Sequence, residues 1–384
     1  MAVKGTIAEA LQDKIDSKEA IKQAIIAKGV TVDDELLSDY AGKVAAIAQD
    51  PSIPVGVGQH LVTFYDFDGK VLKRQRVSTG DNAIAPTTPT HQYLTFAEWN
   101  NPFTNVQSDI DTGAIYNTTD GKTYLFITLT AVTGLAPTLF FWKSSASLMT
   151  IDWGDGTTST STTAGNKTIQ HTYAIAGDYI ITVDNSAGGI YRFSSGDGVY
   201  ALFNYKQITT KLYFGAHAIV SQGRYFQDNY SLKYISFYKI TQTVPARLFQ
   251  DCRQLIHVNF PSSFSGSPTL CFYNCYSLRK FIYSGFINII EDFVDNRSIS
   301  KLSFGTNLLT IAGASFQNCY AITQYIFYST TPPTLANINA FTGINQICKI
   351  YVPDASVEAY KAATNWITYA NYIYPLSQKP QSDE

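Results

Sequence analysis

The chain has 384 residues, a net charge of −2 and a charged fraction of 15%, well under the ~25% that is usual for a soluble domain. This length is enough for several domains with a sizeable core. The near-zero charge argues against nucleic acid as a partner. The sequence contains no run of about 18 apolar residues, so it predicts no membrane insertion. With 26 Tyr and 23 Phe, the sequence predicts a mainly β, multi-domain protein rather than a helical enzyme.

Residues 1–49 predict a small helical segment. Its apolar residues recur at helical spacing, and five of them form the predicted anchor: Ile7, Leu11, Ile15, Ile21 and Ile25. About forty residues rarely hold a core alone. The segment is therefore interpreted either as a small bundle or coiled-coil seam, or as an anchor that docks or forms a homo-oligomer such as a trimer. Residues 50–58 are rich in Pro and Gly and predict a linker.

Residues 59–131 change to β patterning, with a hairpin predicted at Asp68-Gly69. The region resembles the Listeria–Bacteroides repeat, a β-grasp module of bacterial surface proteins. The matching residues are Val62–Phe64, Pro86–Pro89, Tyr93–Phe96 with Trp99, and Ala114–Tyr116. Family members often have Gly just before the Trp, whereas Glu98 stands there in this sequence. The resemblance implies a β-grasp-like module.

Residues 135–186 predict an immunoglobulin-like β-sandwich. The segment Ile151–Thr157 contains a Trp-Gly-Asp-Gly motif, and an alternating apolar strand follows at Ala176–Val183. The pattern resembles polycystic-kidney-disease-type (PKD) domains, with Trp153 as a core anchor. Asp152 and Asp155 leave two interpretations open: a calcium site, or turn carboxylates that bond local N–H groups.

A period appears from about residue 200. Seven phenylalanines recur at intervals of 21 to 25 residues: Phe203, Phe226, Phe249, Phe272, Phe293, Phe316 and Phe341. Counting each Phe as place zero, a Cys or Asn often stands at place three, and apolar residues stand at places six, nine and eleven. One such turn cannot bury its apolar residues alone, but stacked turns form one core. The sequence predicts a solenoid at 195–353, followed by a C-terminal cap and tail at 354–384.

The repeat resembles the BspA-like leucine-rich repeats of bacterial surface proteins. The same frame accounts for three cysteines, because Cys252, Cys275 and Cys319 all stand at place three. They predict a buried ladder of small side chains rather than a metal or redox site. Cys271 and Cys348 lie elsewhere in their turns and form no metal-binding motif.

Places eight and ten of each repeat strand are predicted to point outward. They give the candidate ligand-binding residues: Lys211, Tyr213, Tyr234, His257, Lys280, Lys301, Gln324, Lys349 and Tyr351. Two interpretations remain, a solvated face or a groove for a host-surface glycan or protein. The five histidines form no motif with one another, with a Cys or with a helical Glu pair. The sequence therefore predicts no enzyme activity, no cofactor and no metal.

The sequence leaves three functions open. The first residues lack the apolar core of a signal peptide, although the domains resemble exposed surface modules. The stretch 21–44 is similar to N-terminal segments of tail and head-fibre proteins from gut phages. These resemblances imply a virion protein, made in the host cytoplasm, whose N-terminal segment binds other virion proteins. The alternatives are a secreted bacterial cell-surface adhesin and, third, an enzyme with appended binding modules.

Overall fold

The computed structural model describes residues 59–131, 134–193, 207–220, 224–238, 242–266, 269–282 and 287–380. The predicted helical anchor, the predicted linker and Phe203 lie outside these ranges. Within them the chain consists of strands joined by turns, with short helical turns only after residue 353. The predicted mainly β class is confirmed for this part of the chain.

The first module contains four strands: β1 (Gln59–Tyr65), β2 (Val71–Ser78), β3 (Leu94–Trp99) and β4 (Ile110–Thr118). They form one sheet in the order β2-β1-β4-β3, with β1 and β4 parallel at its centre. The predicted hairpin joins β1 to β2, and its turn residue Gly69 has a φ of +88°, which is easily adopted by glycine. One face of the sheet buries Val62, Phe64 and Val106 in the module's own core.

A sandwich of two small sheets follows. Its strands are β5 (Thr123–Leu129), β6 (Thr138–Lys143), β7 (Met149–Asp152), β8 (Thr158–Ser161), β9 (Gly165–Gln170), β10 (Gly177–Asp184) and β11 (Tyr191–Arg192). One sheet contains β5, β10, β7 and β8, and the other contains β11, β6 and β9. Trp153 is fully buried, and its indole N–H donates to Oγ of Ser159 at 2.9 Å. Its predicted role as a core anchor is confirmed.

The sandwich and the repeats share one sheet. β12 (Thr209–Tyr213) pairs antiparallel with β5, and the sheet continues through the parallel strands β13 (Tyr234–Ser236), β15 (His257–Asn259) and β17 (Lys280–Ile282). β5, which the predicted boundaries place in the 59–131 module, thus lies in the sandwich. The predicted end of the first module at residue 131 therefore lies too far along the chain. The apolar residues of β5 do not reveal which sheet the strand joins.

The repeats form the predicted solenoid. Its first strand set continues with β19 (Lys301–Phe304), β21 (Gln324–Phe327) and β23 (Lys349–Val352). A second set consists of β14 (Gln242–Thr243), β16 (Phe264–Ser265), β18 (Asn288–Ile290), β20 (Thr310–Ala312) and β22 (Thr334–Leu335). The strands that pair within a set run parallel, with a break in each set, between β17 and β19 and between β16 and β18. Lys301, Gln324 and Lys349 lie side by side. Equivalent places of successive repeats are therefore stacked, as predicted.

The repeat phenylalanines form a continuous stack from Phe226 to Phe341, with ring centroids 5.0 to 5.8 Å apart. Place six is fully buried from Leu232 to Ile322, which confirms the predicted core. Ile347, at place six of the last repeat, is an exception because it is 72% exposed. Its N–H donates to Oδ1 of Asn345, and this local turn is followed by a buried Cys348.

Place two of six successive repeats adopts a left-handed backbone, with φ between +59° and +80°. The residues are Asp228, Asp251, Asn274, Asp295, Asn318 and Gly343. Asp, Asn and Gly adopt this conformation more readily than other residues. Their side chains also link repeats, since the amide of Asn274 donates to Asp251 at 2.8 Å and that of Asn318 to Asp295 at 3.1 Å.

The predicted ladder at place three is confirmed. The thiols of Cys252, Cys275 and Cys319 donate to the backbone oxygen of the place-zero Phe in the preceding repeat, at 2.8 to 3.0 Å. Asn296 makes the equivalent bond to Phe272 at 2.8 Å. All five cysteines are free and buried, and burial raises the pKa of Cys319 to about 12. The thiols therefore serve packing.

A cap closes the last repeat. It contains η1 (Asp354–Ser356), α1 (Val357–Ala362), η2 (Trp366–Tyr372), β24 (Ile373–Pro375) and η3 (Leu376–Gln378). Trp366 is 1% exposed and packs edge-on against Phe327, as a cap requires. In the predicted tail, the ammonium of Lys379 pairs with Asp109 of the first module. Among the described residues, no helix is long and apolar enough to cross a bilayer.

Candidate functional site

The outer face of the shared sheet carries the first part of the predicted ligand-binding ladder. The first module lies on this face, where β4 contacts β13, β15 and β17. Tyr213 and His257 are consequently buried, with 4% and 1% of their surface exposed, while Lys211 and Tyr234 are partly buried. The expectation of an open face is wrong here, because repeat periodicity does not reveal what packs on an outward side chain.

His257 and Asn259 lie at the centre of this interface. The Asn259 amide donates to the backbone oxygens of Asp66 at 3.1 Å and Ala114 at 3.2 Å. Its Oδ1 is therefore the acceptor for Nε2 of His257, at 2.6 Å. This short chain of hydrogen bonds joins two repeat side chains to the backbone of the first module, at Ala114 in β4 and at Asp66 just after β1.

Two glycines of the first module make room for these side chains. A methyl group on Gly69 would lie 2.9 Å from the ring of His257, and one on Gly113 would lie 2.3 Å from Cγ of Asn259. Real Cβ atoms do not approach other heavy atoms so closely. The module and the solenoid therefore fit together only with glycine at these positions.

Further polar contacts hold the same interface. The Asn100 amide donates to the backbone oxygens of Phe260 at 2.8 Å and Ile282 at 3.1 Å. Glu98 accepts hydrogen bonds from the N–H of Ser262 at 3.1 Å and from its hydroxyl at 2.9 Å. The residue that departs from the Listeria–Bacteroides pattern thus contacts the solenoid.

Lys280 is also engaged with the first module. Its ammonium lies 2.8 Å from a carboxylate oxygen of Asp111 and 4.1 Å from the ring centroid of Tyr65. Burial alone would raise the pKa of Asp111, but the cations of Lys280 and Lys301 and hydrogen bonds from Lys280 and Tyr65 lower it below its ordinary value. The lysine thus holds the interface together and is not available as an open ligand site.

The second part of the predicted ladder lies beyond β17. Lys301 and Gln324 are partly exposed and Lys349 is exposed, with its ammonium 4.8 Å from the ring centroid of Tyr374. Tyr351 is 1% exposed and packs beside Tyr374. The structure therefore does not bring the nine predicted residues together on one accessible face.

The His257 environment predicts an interface that is sensitive to acid. Burial lowers the pKa of His257 to about 4, helped by the Lys280 cation and opposed by the hydrogen bond to Asn259 and the carboxylates of Asp68 and Asp111. Its Nδ1 has no hydrogen-bond partner among the described residues. Between pH 6.5 and 4 the native state binds fewer protons than the unfolded state. Stability therefore falls as the pH drops, by about 2 kcal/mol from pH 7 to pH 5.

Denaturant unfolding at pH 7 and pH 5 measures this loss. The matched variant is His257→Gln, whose amide N–H can still donate to Asn259 but does not titrate. We expect the variant to lose about 2 kcal/mol less between the two pH values than the native chain. An equal loss in both proteins would contradict the role of His257.

The two carboxylates of the Trp-Gly-Asp-Gly motif bond locally. Asp152 accepts from the N–H of Gly154 at 2.9 Å, and Asp155 accepts from the N–H of Thr157 at 3.0 Å. Asp155 also pairs with Nε2 of His171 at 2.7 Å. These contacts match the interpretation as turn carboxylates. In the described part of the chain, no three His, Cys, Asp or Glu side chains are grouped as metal ligands.

A different ladder lies at place four of the repeats, between the phenylalanine turn and the next strand. Tyr and Arg alternate along it: Tyr230, Arg253, Tyr276, Arg297 and Tyr320. The Arg253 guanidinium lies 4.8 Å from the ring centroid of Tyr230 and 5.7 Å from that of Tyr276. Arg297 lies 4.7 Å from the Tyr276 ring. Cation–π contacts therefore link four of the five rungs.

A shallow groove runs beside this ladder at places five and seven. It is lined by Lys233, Gln254, Ile256, Ser277, Arg279 and Ser298. Lys233 and Arg279 are exposed, as are both ladder arginines, and no described residue forms an ion pair with any of these four cations. We call the ladder and the groove together the edge strip.

The edge strip has a signal in the sequence. Its Tyr and Arg residues recur at intervals of 23, 23, 21 and 23 residues, as regularly as the residues of the predicted outer-face ladder. Periodicity therefore identifies both ladders equally well. Only the fold separates them, because one lies partly beneath the first module and the other lies on an open edge.

The comparison with known families concerns the same repeats. Residues 221–347 match the model of the BspA type leucine rich repeat region in six copies. These are BspA-type leucine-rich repeats. The match covers the solenoid from before Phe226 to beyond Phe341, including the edge strip. No curated protein matches the chain.

Proposed function

We propose that the protein is a non-enzymatic binding protein that is displayed on a surface and holds its partner on the edge strip. The observation that carries this proposal is the alternation of Tyr and Arg along five successive repeats, four of which are linked by cation–π contacts. Tyr and Arg are enriched where proteins bind their partners, and the stacking fixes side chains that would otherwise lose conformational entropy on binding.

The surface that displays the protein is proposed to be that of a virion. A virion is supported by the likeness of residues 21–44 to segments of phage tail and head-fibre proteins, with residues 1–49 as the anchor to other virion proteins. The Listeria–Bacteroides and PKD-like resemblances support outward-facing modules. A bacterial cell surface is the alternative, supported by the BspA-type repeats. Detection of the chain in purified particles, or in the cell envelope instead, separates these two.

Binding of the labelled full chain to intact bacterial cells tests the function itself. The variant Arg253→Glu/Arg297→Glu reverses both ladder cations, and we expect cell-bound protein to fall about tenfold or more. The matched control, Lys70→Glu/Lys167→Glu, makes the same change in net charge on the first module and the sandwich and should bind as the native chain does. Equal binding by all three proteins would refute the edge strip as the binding surface.

A further inference from the structure

We infer that the edge strip binds a linear acidic polysaccharide, with its carboxylate or sulfate groups placed on successive repeats. This inference rests on the proposed function and names the chemical class of the partner. Four observations carry it: the sign of the charge, the contacts of the arginines with tyrosine rings, the polar lining of the groove and the linear arrangement of these residues along the repeats.

The charge of the strip is one-sided. Places four, five and seven of the five repeats from Phe226 to Phe316 contain four cations, Lys233, Arg253, Arg279 and Arg297, and no Asp or Glu. The whole chain, by contrast, has a net charge of −2. A row of exposed cations attracts an anionic partner and aligns it.

The neighbouring carboxylates keep their charge but are engaged in hydrogen bonds of their own. At place two, Asp251 accepts a hydrogen bond from Asn274, and Asp295 accepts one from Asn318. Asp251 also accepts from the amide of Gln250. These carboxylates are thus satisfied within the turns, while the arginines two places further along have no ion-pair partner among the described residues.

The ladder arginines are held against tyrosine rings. The guanidinium of Arg253 lies within 6 Å of the ring centroids of both Tyr230 and Tyr276. Such contacts restrict the side chain before a ligand arrives, and a stacked guanidinium keeps its N–H groups available for hydrogen bonds. Carboxylate and sulfate groups match the guanidinium fork with two parallel hydrogen bonds.

The backbone beneath the tyrosines is fixed by the following repeat. The hydroxyl of Ser298 donates to the backbone oxygen of Tyr276 at 2.6 Å, and the amide of Asn345 donates to that of Tyr320 at 2.9 Å. Two of the tyrosine rungs are therefore tied to the repeat that follows them. The spacing of the charged groups is set by the solenoid and not by flexible loops.

The groove favours a glycan over a protein surface. Gln254, Ser277 and Ser298 offer amide and hydroxyl groups to sugar hydroxyls, and Ile256 is the one aliphatic residue in its lining. Protein interfaces usually have an apolar centre that is depleted of charge, whereas the lining of this groove is mostly polar and includes the cations of Lys233 and Arg279. An extended chain with a charge on each unit fits the linear arrangement best.

The test measures binding of the full chain to immobilised polysaccharides: heparin as the sulfated probe, polygalacturonate as the carboxylated probe and dextran as the neutral one. We expect binding to at least one acidic probe and none to dextran, and weaker binding at higher salt. Arg253→Gln/Arg297→Gln should weaken binding about tenfold or more. Lys70→Gln/Lys167→Gln, with the same charge loss elsewhere, should bind normally.

Other outcomes separate this inference from the proposed function. If neither acidic probe binds but Arg253→Glu/Arg297→Glu still reduces binding to cells, the acidic glycan is wrong and the binding surface stands. If protease treatment of the cells removes the binding sites, the partner is a protein and the inference fails. If acidic probes bind but the arginine variants bind as tightly as the native chain, the strip is not the site.

Discussion

Replacing Phe272 with Ala should destabilise the protein by about 3–5 kcal/mol. The ring is fully buried and lies in the middle of the phenylalanine stack, 5.8 Å from Phe249 and 5.7 Å from Phe293. Its removal leaves a cavity at a junction between repeats. In a solenoid each repeat is stabilised chiefly by its neighbours, so the loss should affect both sides of the junction.

Equilibrium unfolding in denaturant measures this effect, and amide hydrogen exchange locates it. The matched variant is Tyr273→Ala, which removes a partly exposed ring one residue further along the chain and should cost about 1 kcal/mol or less. Protection should fall in β15, β17 and β18 of Phe272→Ala before it falls in the cap. A loss below about 1 kcal/mol would contradict the stack as a main source of stability.

The internal structure of the repeats could be predicted from the sequence because the same spacing of buried residues recurs in each repeat. A Phe at place zero and an aliphatic residue at place six must both be buried, so several copies fix the register. The cysteines followed from that frame, since place three holds a small, buried Cys or Asn in each of the five repeats from Phe226 to Phe316. The prediction that Ile347 is buried at place six was wrong, because an Asx turn at Asn345 places its side chain outward.

The arrangement of the modules could not be predicted, because it depends on contacts between residues far apart in the chain. The apolar pattern of β5 indicates a buried strand and does not indicate its neighbour. In the same way, the sequence did not reveal that the first module packs on the outer-face ladder. Asn259 and Asn100 contact residues more than 140 positions away, and a polar residue at an outward place gives no sign of such a partner.

None of the residues of the edge strip is among the predicted binding residues. Place eight carries Lys in four of its seven repeats and place four carries Arg in two, so the sequence supports a charged ladder on the solenoid without deciding which of the two is open. Gly113 and Gly69 decide which ladder is open, because they allow the first module to lie on the strand face and cover part of the ladder at place eight. A feature outside the solenoid thus determines which part of the solenoid can meet a partner.

Replacing Gly113 with Val should separate the first module from the solenoid, at a cost of about 3 kcal/mol. The added Cβ would lie 2.3 to 2.5 Å from three side-chain atoms of Asn259. Asn259 cannot simply move away, because its amide and its oxygen bond Asp66, Ala114 and His257. The clash is therefore relieved mainly by movement of the module.

Thermal unfolding and hydrogen exchange of β1 to β4 measure this separation. Gly305→Val is the matched control, because nothing lies within 4 Å of a Cβ placed there. Adding Asn259→Ala to Gly113→Val removes the colliding atoms, so the double variant should be more stable than the two single losses predict. Additive losses would contradict the interlock. If the module does separate, Tyr213, His257 and Lys280 become accessible. Comparing the polysaccharide binding of this variant with that of the native chain then shows whether the covered face can bind.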